Sequence, residues 1–153
     1  ATLYFEDLLT MQYQVQEMLR IEKIFEADGI QEELDAYNPL IPDGSNFKAT
    51  FMMEYGDVEE RKAALAKLGG IEDKTWVQVE GFEKVHAISN EDLERTEDEK
   101  TSAVHFMRFE LSEAMCEAVK SGAALSAGIS HDNYSHEVAM PDNVRASLAN
   151  DLK

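Results

Sequence analysis

The apolar residues of this chain recur with a period of 3.6 up to residue 37 and with a period of 2 from residue 47. A chain with that change of period opens as helix and continues as sheet. On a helical wheel Leu8, Met11, Val15, Met18, Leu19 and Phe25 share one face. This predicts a first helix from residue 6 or 7 to residue 28, stopped by Gly29, and a short second helix over 30–37. The junction NPLIPDGSN over 38–46 has two prolines, a glycine and three Asx residues, the composition of an irregular connection. Beyond it FKATFMMEY (47–55) reads as a strand with Phe47, Ala49, Phe51 and Met53 on one face.

Asp57 followed by Glu60 marks the start of a helix that reaches Leu68 and ends at Gly69-Gly70. Residues 76–80 and 85–88 are β-rich runs at hairpin spacing. Residues 90–100 (NEDLERTEDEK) are charged throughout and predict a solvated helix or loop. TSAVHFMRFEL (101–111) is the clearest strand, Ser112 caps a helix to Lys120, and 123–129 can form a last strand. Pro141 sits in the first turn of a closing helix to Leu152. The fold class expected is α+β: a mainly antiparallel sheet of about five strands covered by helices, with an N-terminal helical pair. A length of 153 residues fits one domain, 1–153, in which residues 1–37 pack on a sheet-helix core of 47–153.

The formal charge is 14 − 31 = −17, and no window gathers more than two or three Lys or Arg. Such a chain repels phosphate backbones and anionic membranes, so neither nucleic acid nor a membrane is an expected partner. Cys116 is the single cysteine, which excludes an internal disulfide and any CxxC motif. With no apolar run near 18 residues and no signal peptide in sight, the expectation is a soluble, cytoplasmic protein.

Two carboxylates, Glu22 and Glu26, fall on the apolar stripe of the first helix. A carboxylate facing a core must find a cation or hydrogen-bond donors, bind a metal, or take up a proton. Arg108, on a strand face with Val104 and Phe106, is the expected partner of Glu22 in a structural ion pair. As a metal set, Glu22 and Glu26 would join His105, which faces the other way with Met107 and Phe109, or His131 and His136 from the loop HDNYSH, to hold Fe, Mn or Zn. No helix adds an ExxH companion, and HDxxxH is not a known ligand spacing. Phosphate loops, GxSxG and HExxH are absent. A small-ligand pocket between the first helix and the sheet would be lined by Met18, Phe51, Met53 and Glu22.

The run ATLYFEDLLTMQYQVQEMLRIEKIFEADGIQEELDAYNPLIPDGSNFKATFMMEY, with WVQVEG and EKTSAVHFMRFEL further on, closely resembles a bacterial family numbered 3501 in the domain-of-unknown-function series. The resemblance covers nearly the whole chain. It implies a longer N-terminal segment rich in basic residues, and gene neighbours that encode rubrerythrin-like and iron–sulfur oxidoreductase proteins. It supplies no catalytic residue. The expected function is therefore that of a non-catalytic accessory or interaction protein in redox or peroxide-stress metabolism. A carboxylate/His metal-binding protein or metalloenzyme is the alternative.

Overall fold

The computed structural model describes residues 1–91 and 101–153. Chain entry is a strand, β1 (Thr2–Glu6), which the sequence reading did not anticipate. Asp7 then opens α1 (Leu8–Glu22) as a reciprocal cap: its carboxylate accepts from the Thr10 N–H at 2.8 Å, and its own N–H donates to the Thr10 hydroxyl at 2.9 Å. The helix ends at Lys23, which turns left-handed with φ 54°. The break was expected at Gly29 and comes six residues sooner. Gly29 lies inside α2 (Ala27–Tyr37), where a Cβ would stand 2.7 Å from Ile24 Cγ2. Its bareness lets the connecting turn pack down on α2, which explains a residue that otherwise weakens a helix.

Asn46 to Met52 form β2 (Asn46–Met52), antiparallel to β1, and Phe47, Ala49, Phe51 and Met53 are buried on one side as the alternation predicts. Asp57 caps α3 (Val58–Leu65) through the Glu60 N–H at 2.8 Å. A 3-10 turn, Ile71–Lys74, leads into β3 (Thr75–Val79), and the turn at Gly81 (φ 87°) returns the chain as β4 (Lys84–His86). One residue on, the same extended segment becomes β5 (Ile88–Ser89) of the other sheet. Ala87 is the corner, its N–H donating to the Thr75 carbonyl at 2.9 Å.

The remaining elements are β6 (Val104–Glu110), α4 (Glu113–Lys120) capped by Ser112, β7 (Leu125–His131), β8 (Tyr134–Ala139) and α5 (Asp142–Ala149). Among the described residues these make five α-helices and two four-stranded antiparallel sheets, ordered β1-β2-β6-β5 and β4-β3-β7-β8. The α+β class and the antiparallel pairing agree with expectation; the sheet is doubled, because β1, β5 and β8 were not read as separate strands. Phe47, Phe51 and Phe109 from the first sheet and Val77, Val79 and Leu125 from the second fill one shared core. No helix among the described residues is long and apolar enough to cross a membrane. The charged run expected over 90–100 lies, from residue 92 on, outside the described residues.

Candidate functional site

The first helix does not hold carboxylates inside the fold. Glu22 is its last residue and Glu26 precedes α2, and both are exposed. Full burial along α1 is confined to Met11 and Val15, about three and two turns before Glu22, and the left-handed turn at Lys23 takes Glu26 off the helical stripe altogether. Arg108 is engaged elsewhere: Nε and Nη2 reach Glu91 at 3.2 and 2.8 Å, and Nη1 reaches Glu110 at 2.6 Å. The expected Glu22–Arg108 ion pair is replaced by this fork on the outer face of β6. Bonding to Arg108 holds Glu91 below the usual carboxylate range. At Glu110 burial pushes the carboxyl up, but bonds from Ser45, Asn46 and Arg108 outweigh it and the net direction is down.

The three histidines go to three places. His105 is fully buried on the inner face of β6, with Nε2 2.9 Å from Thr101 Oγ1, 3.1 Å from the Ser102 carbonyl and 3.9 Å from Glu72. Thr101 also donates to Glu72 at 3.2 Å. A buried carboxylate does exist in this protein, then, but it is Glu72, from the 3-10 turn before β3, a position with no apolar period to mark it. His131 is structural. Its Nδ1 accepts from the Asn133 N–H at 3.1 Å, which leaves the proton on Nε2 for the Gly69 carbonyl at 3.0 Å. The segment expected as a ligand loop is the tight β7–β8 hairpin, with Asn133 also donating to the Lys67 carbonyl at 2.8 Å. His136 stands beside Tyr134 on β8, ring centroids 4.7 Å apart. Among the described residues no three His, Cys, Asp or Glu side chains gather as a metal ion would require, so the structure does not bring together Glu22, Glu26, His105, His131 and His136. Cys116 is buried in α4, and burial pushes its thiol up, away from reactivity.

What the sequence stripe concealed is a second apolar face on α1. Met11 and Val15 are buried, lying over Leu34 and Ile41 of the following segment. Leu9 (71% exposed), Tyr13 and Ile21 lie on the other side of the helix, and Phe25 in the turn beyond is 81% exposed. The chief neighbour of α1 is α2, with a lesser contact to β1. Residues 1–37 carry nine Asp or Glu against two Lys or Arg, 2 − 9 = −7. The acidic excess lies mainly before and after α1, which itself carries Glu17 and Glu22 against Arg20, and the Glu17–Arg20 ion pair stands between Tyr13 and Ile21. The signal in the sequence is Leu9, Tyr13 and Ile21 lying off the buried stripe.

Comparison with known proteins agrees with the resemblance seen in the sequence. The profile of a family described as Protein of unknown function (DUF3501) matches residues 1–152. A crystal structure of a protein of unknown function from Burkholderia pseudomallei is similar over 99% of this chain and 79% of that one, with 55% identity and a TM-score of 0.92. No curated protein matches.

Proposed function

The chain belongs to the DUF3501 family, and from that premise we propose that it is a non-catalytic interaction protein that docks a basic partner on the outer face of α1. The observation that carries this reading is the exposure of Leu9, Tyr13, Ile21 and Phe25 along one arm of the fold. Four large apolar groups exposed on one short segment, interspersed with charged residues, fit a surface that a partner covers. The acidic excess of residues 1–37 selects the partner's sign and speeds encounter, while the exposed apolar residues supply the contact energy. On this reading residues 1–37 form the docking arm and residues 47–153 its support.

The finer part of the proposal is that the partner is a cytoplasmic redox protein, of rubrerythrin-like or iron–sulfur oxidoreductase type; the resemblance and the gene neighbourhood it implies favour that class. A photo-crosslinking amino acid placed at Tyr13 in living cells tests both parts. The expected product is a crosslink to one basic protein carrying a redox centre, weakened by salt and abolished by Leu9→Asp. A crosslink only to a second copy of this chain, or equal capture by wild type and Leu9→Asp, overturns the interaction reading. A basic partner without a redox centre overturns the finer part alone.

A further inference from the structure

α1 and α2 are joined through residues 23–26 and lie against each other as a helical hairpin. Two packed helices touch along one line, and the grooves beside that line are what a third helix fills in a bundle. One such groove, of about 350 Å³, has Met11 and Val15 of α1 facing Leu34 and Ile41 across its floor. Its lip is Leu8, 66% exposed, with three neutral amides, Gln12, Gln16 and Asn38, all of them exposed. No residue of α2 is buried, although Ile30, Leu34 and Tyr37 recur on one face of it at helical spacing. The burial that α2 lacks is what a third helix would supply.

The walls decide the form of the occupant. Both are helices, whose backbone N–H and C=O groups are bonded to one another, so the groove has no strand edge for an extended peptide to pair with. Three side-chain amides cannot satisfy the backbone of such a peptide, whereas a helix satisfies its own and presents only side chains. Charge decides the sign. α2 carries Asp28, Glu32, Glu33 and Asp35 and no Lys or Arg, and on the helical wheel Asp28 and Asp35 follow Leu34 and Asn38 toward the exposed side. Gln31, between them, donates to Asp35 at 2.7 Å and leaves its charge in place. A helix with four carboxylates and no cation favours Lys or Arg and repels another acidic surface, a second copy of this chain included.

We propose that the groove between α1 and α2 receives a basic amphipathic helix of the partner. Its apolar residues, at helical spacing, lie over Met11, Val15 and Leu34, and its Lys or Arg side chains stand beside Asp28 and Asp35. The proposal rests on the reading of residues 1–37 as a docking arm and names the element that the arm takes.

Fluorescence anisotropy of the full chain with three labelled peptides of equal length tests the assignment. One peptide has Leu at helical spacing with Lys between, the second is a scrambled isomer of the same composition, and the third has Glu in place of every Lys. The first is expected to saturate at 1:1, and each of the others to bind at least about tenfold more weakly. The scrambled isomer separates the groove from charge alone. Gln12→Arg with Gln16→Arg places two cations on the lip at exposed helical positions, and should weaken the first peptide about tenfold or more without moving the melting temperature. Leu8→Lys should do the same if the double variant disturbs folding. Ile21→Ser, away from the groove on α1, should leave the affinity within about twofold of wild type. A photo-crosslinking amino acid at Gln16 should join the chain to the first peptide. The proposal fails if that peptide shows no saturable binding, if either control binds as tightly, if the lip variants bind as wild type does, or if Gln16 crosslinks only to the chain's own residues. A partner captured at Tyr13 without peptide binding overturns the groove alone. Peptide binding without capture at Tyr13 overturns docking on the outer face of α1 and leaves the groove standing.

Discussion

Arg108 holds two carboxylates at once in a protein that has more than twice as many acids as bases. Its guanidinium fork meets Glu91 two-pronged, which fixes the end of β5 against β6, and a third nitrogen meets Glu110. Because these partners are half open to water, Arg108→Ala is expected to cost about 1–2 kcal/mol in urea unfolding, and less in high salt. Glu22→Ala should change stability by less than about 0.5 kcal/mol, as at other exposed positions. A large loss on Glu22→Ala would mean that the carboxylate is buried after all. At this scale the sequence showed which faces Arg108 and His105 occupy, because strand alternation is strict. It could not show that Glu72 is the buried acid, since a 3-10 turn carries no period from which to read a facing. Nor could it show that Glu22 is outside, since how far along α1 the stripe is covered depends on the elements packed against it, while the left-handed Lys23 redirects Glu26.

Elements are fixed here by close approaches as much as by propensity. Gly128 pairs with Trp76 across β3 and β7, and a Cβ there would collide with the six-membered ring of the indole and stand 2.8 Å from the His136 carbonyl. The indole N–H donates to Ser130 Oγ at 2.9 Å and Lys84 Nζ sits 3.8 Å above the ring, so the side chain has little room to retreat. Gly128→Ala is therefore expected to destabilise by about 1–3 kcal/mol, the range for overpacking, read as a lower urea midpoint with an unchanged slope. Melting at the wild-type temperature would show that the indole moves aside freely. In the sequence Gly128 was one residue of an apolar run and Gly29 read as a helix stop. Both are close-approach glycines, and which backbone or ring a glycine must accommodate is a property of the partner element, not of its own neighbours in the chain. The caps at Asp57 and Ser112 were legible because a cap is satisfied within three residues.

For the whole molecule the acidic excess sets a pH dependence with two opposing parts. Burial, and then repulsion from Asp7, raises Asp151 to about 6. The folded protein thus prefers Asp151 protonated: its contribution to stability is complete below about pH 4, the unfolded value, and is lost as pH rises through about 6. Asp43, Glu91 and Glu110 are shifted down and act oppositely, stabilising at neutral pH and losing that contribution as pH falls through the acid range. Asp151→Asn should raise the melting temperature at neutral pH and remove part of the decline between about pH 4 and pH 6, measured by calorimetry across that range. No gain at neutral pH would show that the carboxyl is well solvated. The sequence by itself determined the class of this protein: periodicity and caps specify helices and antiparallel strands, and composition specifies an acidic surface, because these signals are local or additive. Only the tertiary structure decided that the strands divide into two sheets over one shared core, that α1 keeps an apolar face in water, and that the predicted carboxylates and histidines lie apart. Those outcomes depend on contacts between residues far apart in the chain, for which period and spacing carry no information.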